Sequence, residues 1–322
     1  MAKATGMHVY EEIKLFAGSG CHDLAKEISQ YLSVPLSGYD RVDFPNENIF
    51  VRLHGSVRGQ DVYLIQSMGP PVHRNLMELL IMLDCLKRDS AGRITAVIPY
   101  MAYARSDKKD QPRVPITARL VADMIEVAGA DRYITIDLHA GQIQGFFSIP
   151  GDVLTAFHML SDHFLSLELD QAVVASTDLG FAKKGRNFAA KLGVPLAFVE
   201  KRRVGDDPRA KAYTVIGDVR DRDVILVDDE VLTAGSACEA AAIVRESGAR
   251  DVYLSFTHAF LVQEAVQRMA ETGFKEIVTT NTLPVPPEKR LPNMKVLSVA
   301  SLLGEVILRA HEGRSVGELF NE

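Results

Sequence analysis

The strongest constraint on this chain is a repeated change of hydrophobic period, in which short β-branched runs alternate with stretches of helical spacing. Segments such as Ala172–Ser176 and Val224–Val227 are short and rich in Val, whereas Asn75–Arg88 and Thr117–Ala128 repeat apolar residues every three or four positions. Each such pair is a βα unit, and βα units stack as parallel sheets with helices over their faces. Strands are expected at Lys14–Ala17, Asp61–Gln66, Ile94–Ile98, Tyr133–Asp137, Ala172–Ser176, Val224–Val227, Asp251–Phe256 and Lys295–Ser298. Helices are expected at Asn75–Arg88, Thr117–Ala128, Thr155–Leu167, Phe181–Leu192 and Ser236–Ser247. Length then sets the number of sheets, because 322 residues exceed the roughly 250–300 at which one core stops growing. The pattern predicts an α/β protein of two doubly wound parallel-sheet domains. The turn Pro150-Gly151-Asp152 separates two sets of units, which gives domains 1–150 and 151–322. Residues 1–12 read as a poorly ordered leader, and the last residues as a segment able to pack on the first domain.

Charge and cysteine content narrow the function classes. A net charge of −6 argues against a nucleic-acid binder, which would show a basic face. The basic residues that do cluster, Arg105–Arg113 and Lys201–Arg203, suit a small anionic ligand. Cys21, Cys85 and Cys238 are odd in number and form no CxxC pair, which fits a reducing, cytoplasmic compartment and argues against a disulfide framework or zinc knuckle. No run of about 18 apolar residues is present, so a membrane span is not expected.

The densest chemical signal is the run from Val224 to Ser236. An apolar strand leads into Asp228 and Asp229, and then Thr233-Ala234-Gly235-Ser236 opens a helix. Such a loop offers backbone N–H groups, two hydroxyls and the positive end of a helix dipole, which together cradle a phosphate monoester. Two carboxylates at the carboxyl end of a strand can accept hydrogen bonds from vicinal sugar hydroxyls, and ligands of open α/β sheets sit at that end. An acidic turn before an ordinary helix cap is the bland alternative. Three further segments are chemically loaded: Pro99–Arg113, with Arg105, Ser106, Asp107, Lys108 and Asp110; His139, just after a strand; and Lys201-Arg202-Arg203 before Val-Gly-Asp-Asp-Pro, a breaker-rich run that reads as a mobile loop. From residue type alone, solvated charge is the lesser alternative for the first and the favoured reading for the third, and a core or capping histidine is the favoured reading for the second.

The Asp228–Ser236 loop resembles the ribose-phosphate site shared by type I phosphoribosyltransferases and ribose-phosphate pyrophosphokinases. Resemblance to the pyrophosphokinases runs from Leu15 to Phe320 and includes Asn75–Met82, Ile94–Arg113, Asp137–Phe147, Lys201–Arg203 and Ile216–Asp218. It implies two domains of the phosphoribosyltransferase kind and transfer of the β,γ-diphosphate of ATP to the 1-hydroxyl of ribose 5-phosphate. It further implies that Asp228, Asp229, Thr233, Ala234, Gly235 and Ser236 bind ribose 5-phosphate. ATP would meet Arg105, Ser106, Asp107, Lys108, Asp110 and His139, together with Phe44, Asn46 and Asn48 of a flag loop reaching a neighbouring subunit. Mg²⁺ would contact His139 and Asp178, and Lys201 and Arg203 would be catalytic on a closing loop. A homohexamer, sites shared between subunits and a regulatory site at Ser56, Arg58 and Arg113, with Ser315 and Phe320 near the C-terminus, are implied in the same way. The chain departs from the family pattern at Ser106, at Glu47-Asn48 and at Gly317, and at Leu232, where the family usually has Asp. That last departure keeps open a catalytically weak regulatory paralogue, and the shared loop alone keeps open a phosphoribosyltransferase.

Overall fold

A computed structural model describes residues 12–177, 182–203, 211–262 and 264–317, with the backbone alone at 201–203 and 211–213. Within these residues the chain forms two compact units, one of residues 12–154, 282–284 and 298–317 and one of residues 155–281 and 285–297. No helix among the described residues is long and apolar enough to cross a membrane.

The first unit begins with β1 (Ile13–Ala17), α1 (His22–Leu32) and a hairpin of β2 (Tyr39–Asp43) and β3 (Ile49–Leu53). It continues through β4 (Asp61–Ile65), α2 (Val72–Arg88), β5 (Arg93–Ile98), α3 (Thr117–Ala128), β6 (Arg132–Ile136) and β7 (Gly151–Leu154). Five strands pair in parallel in the order β1-β4-β5-β6-β7, while the hairpin forms a separate antiparallel pair. Every residue of β4 is buried, as expected of a strand covered on both faces. Pro150-Gly151-Asp152, a turn by its composition, leads directly into edge strand β7, which the sequence pattern did not reveal. The reason is local. A Cβ on Gly151 would fall 1.9 Å from Cε1 of Tyr133, so glycine there lets the strand approach an aromatic ring.

The second unit contains α4 (Phe157–Ser166), β8 (Ala172–Ser176), α5 (Ala182–Leu192), β9 (Leu196–Arg203), β10 (Lys211–Ile216) and β11 (Asp223–Val231). It is completed by α6 (Gly235–Glu246), β12 (Val252–Ala259), α7 (Ala265–Thr272), β13 (Ile277–Thr280) and β14 (Met294–Leu297). Its order is β10-β9-β8-β11-β12-β13-β14, parallel except where β10 runs against β9. The chain leaves β8 for β9 on one side and returns with β11 on the other. That reversal is a topological switch point, the place where open α/β sheets form a crevice. Val224, Leu226, Leu254 and Phe256 share one core with Ala237, Ala240, Ala241 and Val244 of α6.

The last described α-helix, α8 (Ala300–Glu312), belongs to the first unit and packs on α1. A buried polar cluster ties it down. Asp61, fully buried, accepts two hydrogen bonds from Arg93 at 2.8 and 2.6 Å and one from Tyr63 at 3.0 Å, and lies 2.8 Å from Nδ1 of His311. Arg93 and Tyr63 also donate to backbone carbonyls of α8, at Ala310 (3.0 Å) and Ile307 (3.3 Å). Removing one partner of a buried pair leaves a desolvated charge, so Arg93→Ala should cost about 3–5 kcal/mol in urea unfolding. Arg88→Ala, which breaks the exposed pair with Asp84, should cost less than about 0.5 kcal/mol. Equal losses would mean that the Asp61 cluster does not hold α8.

Candidate functional site

The switch point in the second unit assembles the densest chemistry. β8 stops pairing with β11 at Ser176, opposite Val227, whereas β11 continues to Val231 against β12. The two carboxylates therefore lie inside a strand rather than at its end, because β12 supports β11 after β8 has turned away. Asp228 is the first residue past the end of β8, and its partner on that side is Thr177, whose hydroxyl donates to Oδ2 at 2.8 Å. The backbone N–H of Asp229 donates to Oδ1 at 2.9 Å. Asp228 keeps some exposure, whereas Asp229 and Glu230 are buried. Thr177 carries no motif of its own. Only its place at the end of a central strand marks it.

Directly beyond β11, Ala234 sits in the left-handed region at φ 60° and ψ 3°, and α6 starts at Gly235. The left-handed residue turns the chain from strand to helix within four positions, and places Thr233 through Ser236 across the helix N-terminus. A Cβ added at Gly235 would meet nothing closer than Thr233 Oγ1 at 3.7 Å and Arg268 Nη1 at 3.8 Å. Gly235 is not at positive φ either, so neither packing nor backbone requires glycine there. The space it leaves is of the kind kept for close approach of a ligand. Asp228, Asp229, Thr233, Ala234, Gly235 and Ser236 are thus brought together at one edge of one sheet.

Lys201, Arg202 and Arg203 end β9 and pair with Tyr213, Ala212 and Lys211 of β10. β9 leaves β8 at Phe198, opposite Ser176, so its last five residues run on past the end of β8. They therefore occupy the same carboxyl edge as Asp228. Residues 204–210, expected as a mobile loop, lie outside the described residues, as do Asp178 and Phe320.

In the first unit the charged segment follows β5. Asp107 is buried and accepts from Nε2 of Gln142, while Arg105, Lys108 and Asp110 are exposed. Ser106 has internal work: its hydroxyl accepts from Thr117 N at 3.2 Å and its carbonyl from Ala118 N at 3.1 Å, securing the first turn of α3. His139 is exposed three residues past β6, and Asp137, expected as the last strand residue, lies beyond the strand at φ 42°. Phe44, Asn46 and Asn48 form the exposed tip of the β2–β3 hairpin, where Asn46 Oδ1 accepts from Asn48 N at 3.3 Å. Ser56, Arg58 and Arg113 are exposed, with Arg113 at φ 66°. The hairpin rests on fully buried Glu78, which accepts from Arg41 at 3.0 Å, Tyr39 at 3.3 Å, Gln66 at 3.1 Å and the Ser19 hydroxyl. Its anchoring role was invisible in a helix that reads as apolar and amphipathic.

Among the described residues no group of three or more His, Cys, Asp and Glu side chains could hold a metal ion. The exposed imidazole of His139 is a donor that fits a divalent cation whose other ligands are oxygens.

The chemistry is polarised by burial. Asp228 has its carboxyl pushed up to about 7, first by desolvation, then by the neighbouring Asp229 charge, with the Thr177 hydrogen bond pulling the other way. A largely desolvated acid set beside another acid favours a ligand that supplies hydroxyl donors or positive charge.

Comparison with known proteins adds a sequence-wide match. Residues 13–129 match the N-terminal domain of ribose phosphate pyrophosphokinase, and residues 202–321 match the phosphoribosyl synthetase-associated domain. A ribose-phosphate pyrophosphokinase of Rhodopirellula baltica is 46% identical over 313 residues, covering 97% of this chain and 99% of that protein. One of Caldanaerobacter subterraneus subsp. tengcongensis is 47% identical over 309 residues, covering 96% and 98%. The crystal structure of phosphoribosylpyrophosphate synthetase from Mycobacterium smegmatis superposes with a TM-score of 0.89 at 43% identity, covering 94% of this chain and all of that one.

The Asp228 environment has a measurable signature. A group whose folded pKa is raised contributes stability fully below the ordinary carboxylate range and loses it as pH rises through the raised value. Asp228→Asn removes that loss. The variant should be more stable than wild type by about 1–2 kcal/mol at pH 8, a figure reduced for the exposure Asp228 retains, and the difference should vanish near pH 4. A pH-independent difference in thermal unfolding would refute this electrostatic account.

Proposed function

Because the chain belongs to the ribose-phosphate pyrophosphokinase family, we propose that it transfers the β,γ-diphosphate of ATP to the 1-hydroxyl of ribose 5-phosphate, giving phosphoribosyl diphosphate and AMP. The observation that carries the reading is the switch-point cradle, where two carboxylates stand one short loop away from an open helix N-terminus. In this reading the N–H groups and hydroxyls of Thr233, Ala234, Gly235 and Ser236 hold the 5-phosphate. Asp228 and Asp229 accept hydrogen bonds from the ribose hydroxyls.

On the first unit, Arg105, Lys108 and Asp110 receive the nucleotide, with Asp107 oriented by Gln142 and Ser106 holding the loop to α3. Phe44, Asn46 and Asn48 reach the adenine of a neighbouring subunit in a homohexamer, and Ser56, Arg58 and Arg113 form a regulatory anion site. Bound Mg²⁺, held by His139, Asp178 and the nucleotide, would neutralise charge on the transferring diphosphate. The 1-oxygen attacks the β-phosphorus, the bond from that phosphorus to the oxygen of the α-phosphate breaks, and the hydroxyl proton passes to water. Lys201 and Arg203 place positive charge on the transferring group, a contribution worth ~10³–10⁵ in rate where a cation is supplied to a phosphoryl transfer. Ordering of reactants and fixed charge supply most of the catalysis. The reaction belongs to nucleotide biosynthesis in the cytoplasm.

One observation favours a second reading. Leu232 is half-buried in the sugar loop where a further carboxylate is usual for the family, which suits a regulatory paralogue with weak turnover. An AMP-release assay separates the two: protein with Mg²⁺, ATP and ribose 5-phosphate should form AMP and no ADP. ADP alone would indicate an ordinary kinase, and absent turnover a regulatory chain. Gly235→Ala should leave thermal stability unchanged, since the added methyl meets only ordinary contacts, yet raise the Kd for ribose 5-phosphate by at least ~10-fold, or 1.4 kcal/mol. Unchanged affinity would remove the phosphate from this loop.

A further inference from the structure

We propose that Arg268 of α7 is a recognition residue for the 5-phosphate, donating from the flank of the cradle that the Thr233–Ser236 loop leaves open; this rests on the assignment of that loop to ribose 5-phosphate. Arg268 lies on the first turn of α7, a helix that packs against α6. Its Nη1 is 3.8 Å from the point where a Cβ of Gly235 would stand, and Thr233 Oγ1 is 3.7 Å from the same point. A guanidinium and a hydroxyl thus converge over the first residue of α6 from opposite elements. The same charge is felt at Cys238, one turn further along α6, where it opposes the upward push that burial gives the thiol.

The side chain is aimed there by its own helix. Nη2 of Arg268 donates to Glu264 Oε2 at 3.3 Å, four residues earlier, so the side chain runs back toward the N-terminal end of α7. That end faces the carboxyl edge of the sheet, because α7 follows β12 just as α6 follows β11. Stability does not explain the arrangement. Arg268 is 44% exposed and Glu264 69% exposed, and an exposed pair of this spacing adds little to a fold. A guanidinium beside backbone N–H donors, by contrast, adds charge-assisted and bidentate contact to a phosphate dianion, which neutral N–H groups and hydroxyls lack. Because Leu232 adds no carboxylate on the sugar side, the phosphate end carries a larger share of recognition.

The test uses the full chain and ribose 5-phosphate itself. Binding is measured by calorimetry without nucleotide, and AMP release is titrated against each substrate. Arg268→Ala should raise the Kd and KM for ribose 5-phosphate by at least ~10-fold, leave the KM for ATP within about two-fold and leave thermal stability unchanged. Arg268→Lys, which keeps charge but loses the planar fork, should fall between. Wild-type affinity in Arg268→Ala overturns the proposal, as does an equal loss for both substrates, which would mark a structural residue. If wild type binds ribose 5-phosphate without releasing AMP, the catalytic reading fails while the Arg268 comparison still decides this one. If wild type does not bind ribose 5-phosphate, both fall.

Discussion

Everything at the second unit's edge depends on a difference in strand length. β8 pairs with β11 only as far as Ser176, and β11, supported by β12, continues for four more residues. The overrun holds Asp228 in extended backbone at the mouth of the crevice, with Thr177 across the gap left by β8. It also decides where α6 begins. A strand that ended at Val227 would leave Thr233–Ser236 on a flexible connection, whereas one that reaches Val231 needs a single left-handed residue, Ala234, to start a helix at the crevice rim. Backbone strain at one alanine is small against the gain of fixed N–H groups pointing at one place.

Burial then divides the acidic residues by what surrounds them. Glu78 in the first unit is fully buried, but four side chains and a backbone N–H from three other segments donate to it, so its charge is satisfied within the fold. It locks the base of the β2–β3 hairpin, and through Arg41 and Asp43 to Arg74 it sets where the Phe44 tip projects. Asp228 is placed differently. Among the described residues it receives the Thr177 hydroxyl and the Asp229 backbone N–H, and the adjacent Asp229 carboxylate opposes its charge. The first arrangement is architecture.

What could be read in the sequence follows from how local the signal is. β8 was legible because five consecutive buried residues need no partner information, and the Asp228–Ser236 loop because strand, carboxylates and small residues are contiguous. The parallel α/β class followed from the same alternation, and the family from motifs spread along the chain. The β2–β3 hairpin was missed as secondary structure because β2 is mostly polar and both strands are largely half-exposed or exposed, and β7 because Pro-Gly reads as a turn until Tyr133 is seen beneath Gly151. Also absent from that reading were α1, α7 and α8. For α8 the deciding partners, Asp61 and Arg93, lie more than two hundred residues away. Thr177, Gln142 and Arg268 escaped for that reason too, since each matters through a contact made by the fold.

The same reasoning bears on why a departure at Leu232 can be tolerated at such a site. A sugar phosphate presents two handles, hydroxyls and a dianion, and their contributions to binding are separable when no side chain serves both. Here Asp228 and Asp229 lie in β11, while the N–H groups of Thr233–Ser236 and the guanidinium of Arg268 lie across the loop and α7. Replacing a carboxylate at 232 by Leu removes an acceptor without disturbing the donors, and it lowers the negative charge near the position a phosphate would take. In a site already crowded with acids, and with Asp228 desolvated beside Asp229, that trade lessens like-charge repulsion toward the dianion. Under the proposed assignment, loss of one sugar contact would be offset in part by a better electrostatic environment for the phosphate, and affinity would not fall in proportion to the contacts removed.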